Sequence, residues 1–166
     1  PVGAPPALGP EFDEPAALFV TIRLGERLVG CIGTTEAVRP LGEAIRRFAA
    51  LAAFDDPRTP RLTAEMLPNV RFEISILSPL ERVDAASTGD AIASLRPDEG
   101  YAIEQGPKRG VLLPQVWGAL PEPGRFWAAL LDKAQIAGDA PWPTLTLSRF
   151  AVTHMHEPGY RAPEAE

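Results

Sequence analysis

The most regular pattern in this sequence is VRFEISIL, residues 70–77, in which apolar and polar side chains alternate. Successive side chains of a β-strand point to opposite faces of a sheet, so the alternation predicts a strand with one buried face. The positions predicted to face the core are Val70, Phe72, Ile74 and Ile76, and those predicted to face outward are Arg71, Glu73 and Ser75. Pro79 follows closely, which predicts either the end of this strand or an edge position in the sheet.

The first half of the chain contains a second alternating pattern and then a helical one. Residues 18–24, LFVTIRL, predict a strand, and a short glycine-containing turn leads into LVGCI at 28–32, so the two segments predict a β-hairpin. After Pro40, apolar residues recur at three- and four-residue steps, which is the period of an amphipathic helix. These residues are Leu41, Ile45, Phe48 and Ala52. The following FDDPRTPR contains two prolines, which predict the end of the helix.

Shorter elements are predicted in the second half. The segment QGPKRG, residues 105–110, is typical of a hairpin turn between two apolar strands. A second amphipathic helix is predicted over Arg125 to Ala137, with Gly138 ending it. Residues 91–95 predict one short helical turn, and residues 143–156 predict a closing strand or pair of strands. Helices and strands do not alternate regularly, which favours an α+β fold, a mostly antiparallel sheet flanked by helices, over a doubly wound parallel sheet.

Changes in composition along the chain predict its domain organisation. The first fifteen residues are rich in proline and glycine and predict a flexible arm, and the polar segment DAASTGD at 84–90 predicts a boundary. We therefore expect an arm at 1–15, a single domain at 16–160 with lobes at about 16–83 and 84–160, and a tail at 161–166.

Charge and cysteine content narrow the classes of function. The net charge of −6, from 16 basic and 22 acidic residues, disfavours nucleic-acid binding, which draws on positively charged surface. The single cysteine excludes an internal disulfide and a multi-cysteine zinc site, and it fits a reducing cytoplasm. We find no signal-peptide pattern and no apolar run near the about 20 residues of a membrane-spanning helix. A cytoplasmic protein with no membrane association is therefore expected.

The single cysteine, Cys31, lies between Gly30 and Gly33 where the second predicted strand ends. Glycines at such a place allow close approach of a ligand or of another part of the backbone. The following Thr34 adds a hydroxyl and an N–H group that could serve a bound anion or a loop. Two interpretations stay open at this point. Cys31 is a nucleophile beside a ligand site, or it is a small buried apolar residue in a crowded place.

Two histidines form a second candidate site. His154 and His156 are two positions apart on a predicted strand, so their side chains share one face. That spacing could hold a metal ion or supply a base, but a metal site needs at least one further ligand from elsewhere. A solvated strand end explains the same pattern. We therefore predict no metal site and no cofactor from the sequence.

Three segments together resemble the AMMECR1 family. They are residues 19–83, the segment GPKRGVLLPQVW at 106–117 and FWAALLDKA at 126–134, and the resemblance spans roughly residues 18–156. The family signature reads leucine, arginine, glycine, cysteine, isoleucine, glycine. This sequence matches it at Leu28, Gly30, Cys31, Ile32 and Gly33, but has Val29 in place of the arginine.

The resemblance implies an α+β fold in two unequal lobes, with a cleft between them that the signature borders. It raises Cys31 to a candidate catalytic residue, with Gly30, Ile32, Gly33 and Thr34 as candidate ligand-binding residues. Arg109 and Gln115, from the second matching segment, become candidate pocket residues.

Two functions follow as expectations. In prokaryotes, similar proteins belong to a three-part set with a Memo-like protein and a radical S-adenosylmethionine enzyme. The resemblance therefore implies an accessory or catalytic component of a modification pathway, with no particular reaction specified. The alternative is a non-enzymatic interaction module that docks a partner chain in its cleft or along a sheet edge.

Overall fold

A computed structural model of the protein describes residues 9–156, which form two four-stranded sheets and four α-helices. The strands are β1 (Ala17–Leu24), β2 (Arg27–Thr34), β3 (Val70–Leu77), β4 (Glu81–Arg82), β5 (Gly100–Gln105), β6 (Lys108–Leu112), β7 (Thr146–Phe150) and β8 (Val152–His156). The helices are α1 (Leu41–Phe54), α2 (Thr88–Ala93), α3 (Val116–Ala119) and α4 (Pro123–Ala134). In the first sheet, β1 pairs in antiparallel orientation with β2 and β3. In the second sheet, β7 pairs in antiparallel orientation with β4 and β5, and β5 does so with β6. The predicted α+β class is confirmed.

The first of two compact units comprises residues 9–77 and 153–156 of the described chain. Its sheet has the strand order β2-β1-β3-β8. Helix α1 covers one face, where Leu18 and Val20 of β1 and Ala44 of α1 are almost fully buried. The small residues of α1 allow its backbone to lie close to the strands, so the apolar stripe in the sequence becomes the core of this unit.

The second unit comprises residues 78–152, and its sheet has the order β4-β7-β5-β6. Its core includes the fully buried Tyr101 of β5 and Phe126 of α4. The ring of Phe126 stacks on that of Trp117 at a centroid distance of 3.9 Å. Trp117 donates its indole N–H to the carbonyl of Glu99, so its polar atom is satisfied inside the core. Trp117 is therefore a core residue.

Two local expectations differ from the structure. Helix α4 ends at Ala134, and Gln135, not Gly138, adopts the left-handed conformation that terminates it (φ 55°). The amide N–H of Ile136 still reaches the carbonyl of Leu131, so the last turn is satisfied without a glycine. Ser75, predicted to face outward, lies on the face of the sheet opposite α1, but it is 2% exposed and its hydroxyl contacts a histidine of β8.

The predicted arm lies mostly outside the described residues, as do the tail and the end of the predicted domain. The lobes at 16–83 and 84–160 stay a prediction, as does the cleft. The two units divide the described chain after residue 77 and again after residue 152. Within residues 9–156, none of the helices has the length and apolar character needed to span a membrane.

Candidate functional site

Cys31 lies on the face of the first sheet that is opposite α1. Cross-strand register places Thr21 of β1 directly opposite Cys31, and Glu73 of β3 directly opposite Thr21. Because partners across a sheet share a face, the three side chains form one row across β2, β1 and β3. We call this surface the polar face; besides that row it carries Phe19, Arg23, Gly33, Arg71 and Ser75.

The Cys31 thiol is partly exposed and accepts a hydrogen bond from its cross-strand partner. The hydroxyl of Thr21 lies 3.3 Å from Sγ of Cys31. Sulfur is a weak hydrogen-bond acceptor, and this contact orients the side chain of Cys31 on the polar face. The position therefore combines access with a polar partner.

The backbone of Cys31 is held by side chains from the loop after α1. Strand β2 is at the edge of its sheet, so its outward N–H and C=O groups lack a neighbouring strand. Asp56 accepts from the N–H of Cys31 at 2.8 Å, and Arg58 donates to the carbonyl of Cys31. The hydroxyl of Thr59 donates to the carbonyl of Val29. The loop thus satisfies the strand edge in place of another strand.

Asp56 and Arg58 form the strongest electrostatic pair at this position. The guanidinium of Arg58 reaches both carboxylate oxygens of Asp56, with Nε 2.9 Å from Oδ1 and a terminal nitrogen 2.7 Å from Oδ2. Asp56 is 5% exposed. The hydrogen bonds from Arg58 and from the backbone of Cys31 hold the pKa of Asp56 far below its ordinary value, although burial opposes them. Asp56 is thus a buried, ionised anchor for the strand that carries the thiol.

The two glycines beside Cys31 have packing roles. A Cβ atom at Gly30 would clash with the backbone carbonyl oxygen of Ala52 and would lie 2.8 Å from its carbonyl carbon. A Cβ at Gly33 would meet the backbone of Leu18 and Phe19 on β1. Glycine is therefore required where α1 and β1 approach β2 closely. Ligand binding by either glycine stays a prediction.

The other two candidate ligand-binding residues, Ile32 and Thr34, make contacts that are structural. Ile32 is partly buried and packs with Ile22 and Val29 on the helix side of the sheet, away from the polar face. The hydroxyl of Thr34 accepts from the backbone N–H of Glu36 at 3.0 Å, which orders the turn after β2. These contacts are structural, and ligand binding by Ile32 or Thr34 stays a prediction.

Of the two predicted histidines, His154 contacts residues of the polar face. Nδ1 of His154 lies 3.0 Å from Oε1 of Glu73 and 3.2 Å from Oγ of Ser75. A carboxylate beside Nδ1 orients the ring and leaves Nε2 available to another group. Among residues 9–156, no three histidine, cysteine or acidic side chains come together in a way that could hold a metal ion.

The two candidate pocket residues lie in the second unit. Arg109 on β6 places its Nε 3.2 Å from a carboxylate oxygen of Glu104, its cross-strand partner, and Gln115 is exposed just before α3. A groove of about 430 Å³ in the same unit is lined by other residues, including Arg82, Asp84, Trp142 and Leu147. A pocket role for Arg109 or Gln115 stays a prediction.

The sequence patterns did not indicate four residues that contact Cys31 or the neighbouring backbone of β2. Asp56, Arg58 and Thr59 belong to the segment whose prolines predict the end of α1, and Thr21 belongs to the segment that predicts β1. One signal was available for Thr21, because the hairpin register places it opposite Cys31. The loop residues act through tertiary contacts across 25 to 30 positions of sequence, which local pattern does not encode.

Comparisons with known proteins agree with the resemblance. The sequence profile of the AMMECR1 family matches residues 2–155. A protein of Methanothermobacter thermautotrophicus is 35% identical over 153 residues, covering 89% of this chain and 79% of that protein. A protein of Methanococcus aeolicus is 39% identical over 112 residues, covering 66% of this chain and 56% of that protein. The crystal structure of an uncharacterized protein of Pyrococcus horikoshii has a TM-score of 0.79 at 29% identity, covering 98% of this chain and 82% of that one.

Proposed function

The chain belongs to the AMMECR1 family, and from that premise we propose that it is a component of a modification pathway with Cys31 as its reactive group. The observation that carries the proposal is the contrast between the backbone and the side chain of Cys31. Asp56 and Arg58 fix the backbone, whereas the thiol is partly exposed on the polar face and accepts from Thr21. A fixed and accessible sulfur with a polar partner suits a nucleophile better than a packing residue.

The proposal includes the partners that the family resemblance implies. We propose that the protein acts in the cytoplasm beside a Memo-like protein and a radical S-adenosylmethionine enzyme. The polar face would then present a substrate to the thiol or receive a product from a partner enzyme. The reaction class that we propose is the modification of a small molecule or a macromolecule, with the Cys31 thiol as the group that reacts.

Alkylation of the native protein tests the accessibility of the thiol. We expect iodoacetamide to modify Cys31 without denaturant, because the side chain is partly exposed on the polar face. Intact mass measured over time gives the rate, and Cys31→Ser, which removes the only thiol, is the blank. Modification that begins only when urea is added would contradict a nucleophilic role for Cys31.

A substitution at Thr21 tests the polar partner of the thiol. Thr21→Val keeps the size of the side chain and removes the hydroxyl that donates to Sγ of Cys31. The hydrogen bond contributes about 0.5–1.5 kcal/mol to holding Sγ in one orientation on the polar face, so we expect alkylation to slow about two- to tenfold when it is lost. Thr153→Val, also a strand residue but exposed, is the control and should leave the rate unchanged. An unchanged or higher rate in Thr21→Val would show that the hydroxyl does not assist the thiol.

One observation bears on the alternative, a docking module without chemistry. The β2 edge of the first sheet is covered by Asp56, Arg58 and Thr59, so a partner strand could add there only by displacing them. Strand β8 forms the other edge, and its residues 153–156 are exposed. Capture of a Memo-like protein that persists in Cys31→Ser and is lost when β8 is altered would favour docking over chemistry.

A further inference from the structure

Two arginines face each other on the polar face, one row away from Cys31. Arg23 of β1 and Arg71 of β3 are direct cross-strand partners. Each is two residues from a member of the row formed by Cys31, Thr21 and Glu73, which places the arginines about 7 Å along the strands from that row. Like charges directly opposite each other destabilise a sheet, so this pair needs an explanation.

Neither arginine is neutralised within the described chain. One terminal nitrogen of Arg23 donates to the backbone carbonyl of Glu26 at 3.1 Å, and one of Arg71 donates to the carbonyl of Val70 at 2.9 Å. Among residues 9–156, neither arginine forms an ion pair, and Nε of Arg23 is buried without an acceptor. By contrast, Arg39, Arg58 and Arg149 each contact a carboxylate.

An anion placed between the two guanidinium groups would remove the repulsion. Planar guanidinium groups bind the oxygens of phosphate and carboxylate in pairs, which makes two facing arginines a suitable receptor for such a group. A carbonyl oxygen already uses one terminal nitrogen of each side chain, and the other terminal nitrogen of each has further hydrogens to donate. The pair therefore offers donors from two directions.

We propose that Arg23 and Arg71 bind the phosphate or carboxylate group of a small ligand whose remaining part extends toward the Cys31 thiol. This inference rests on the proposed function and gives its substrate a chemical class, a small molecule with an oxyanion. A nucleic acid fits less well, because a chain with a net charge of −6 repels a long polyanion but tolerates one anionic group.

The neighbouring acid defines where the anion lies. Glu73 is on the same face as Arg71, two residues further along β3, and its Oε1 faces Nδ1 of His154. The carboxylate of Glu73 would repel an anion above the row. The anion is therefore placed on the side of the arginines away from Glu73, at the end of the sheet where Leu24 of β1 pairs with Val70 of β3.

Titration of the whole chain with two probes tests the inference. Inorganic phosphate and succinate are added in separate experiments, and amide shifts of residues 21–24 and 70–73 are followed by NMR. We expect at least one probe to bind, and its dissociation constant to rise about tenfold or more in Arg23→Gln and in Arg71→Gln, because each removes one of two charged hydrogen-bonding partners. Binding of phosphate alone indicates a phosphate ester, and binding of succinate alone indicates a carboxylate ligand.

Arg27→Gln is the matched control, because Arg27 is an exposed arginine of the same hairpin whose partner, Leu24, belongs to the helix side of the sheet. It removes the same charge and should leave the dissociation constant unchanged. Equal weakening in all three variants, no weakening in the two test variants, or no binding of either probe to the wild type would each overturn the inference.

Two measurements keep this inference separate from the proposed function. Cys31→Ser should bind the probe as the wild type does, and alkylation of Cys31 is measured independently. If the probe binds through the arginines but the thiol is inert, the anion site stands and the role of Cys31 falls. Thermal unfolding in anion-free buffer gives a second readout. Arg71→Gln removes the repulsion between the two arginines, so its melting temperature should not be lower than that of the wild type.

Discussion

Replacing Asp56 by asparagine is expected to lower the free energy of unfolding by about 2–3 kcal/mol. An amide oxygen in the place of Oδ2 still accepts from the N–H of Cys31, but the NH₂ group in the place of Oδ1 cannot accept from Nε or the backbone N–H of Arg58, which lie 2.9 and 3.0 Å from Oδ1. The negative charge that Arg58 faces is lost as well. A broken buried ion pair costs about 3–5 kcal/mol, and the expected value is lower because the Arg58 side chain is 60% exposed and regains water. Urea denaturation measures the change.

Asp55→Asn is the control for this substitution. Asp55 is the adjacent residue, its side chain is 58% exposed, and its contact with Arg61 is long at 3.8 Å. We expect a change of less than about 0.5 kcal/mol. Equal effects at the two positions would show that Asp56 does not anchor the loop to β2.

The loss of stability caused by Asp56→Asn should become smaller at acidic pH. The folded-state pKa of Asp56 is lowered by its hydrogen bonds to Arg58 and Cys31, so the unfolded chain takes up a proton first as the pH falls. Its contribution is complete above the unfolded value of about 3.9 and is lost as the pH falls through the folded value. The difference in stability between wild type and variant should therefore be constant at neutral pH and shrink below pH of about 4. A difference that grew on acidification would contradict the assignment.

Gly30→Ala is expected to lower the free energy of unfolding by about 3 kcal/mol. The new methyl group would occupy the place of the Ala52 carbonyl oxygen. A backbone group cannot rotate away as a side chain does, so α1 or β2 must shift. The shift would also disturb the loop at Asp56 that follows α1. Thermal unfolding monitored by circular dichroism measures the loss.

The matched control is Gly124→Ala in the first turn of α4. A Cβ atom at Gly124 has no neighbour within 4 Å, so the substitution should be neutral or raise stability by up to about 1 kcal/mol through helix propensity. A mild effect of Gly30→Ala, similar to that of Gly124→Ala, would show that α1 does not lie against β2 at this point.

Local pattern was sufficient for most of the secondary structure. The alternation in residues 70–77 became β3, and the hairpin of β1 and β2 followed the predicted segments, because each strand buries one face against α1. The pattern failed at Ser75, which has the polarity of an exposed residue but is buried beside His154. A polar residue inside requires a partner, and here the partner comes from a strand 79 positions later.

The candidate site was predicted less completely than the fold. Cys31 was identified from its glycines and its family signature, but the contacts that distinguish it come from Thr21, Asp56 and Arg58. The acid and the arginine of the loop look like the ordinary polar residues of a helix end. Their role depends on the loop folding back along the edge of β2, which is a property of the tertiary structure.

The return of the last strand to the first sheet has a consequence for synthesis. Residues 78–152 form a continuous unit, whereas the first sheet receives its fourth strand only from residues at the end of the described chain. During synthesis on the ribosome, the edge of β3 that pairs with β8 stays unpaired until the whole of the second unit has been translated. His154 therefore reaches Glu73 last, and a nascent chain stopped before β8 would expose the edge of β3 to chaperones or to other chains.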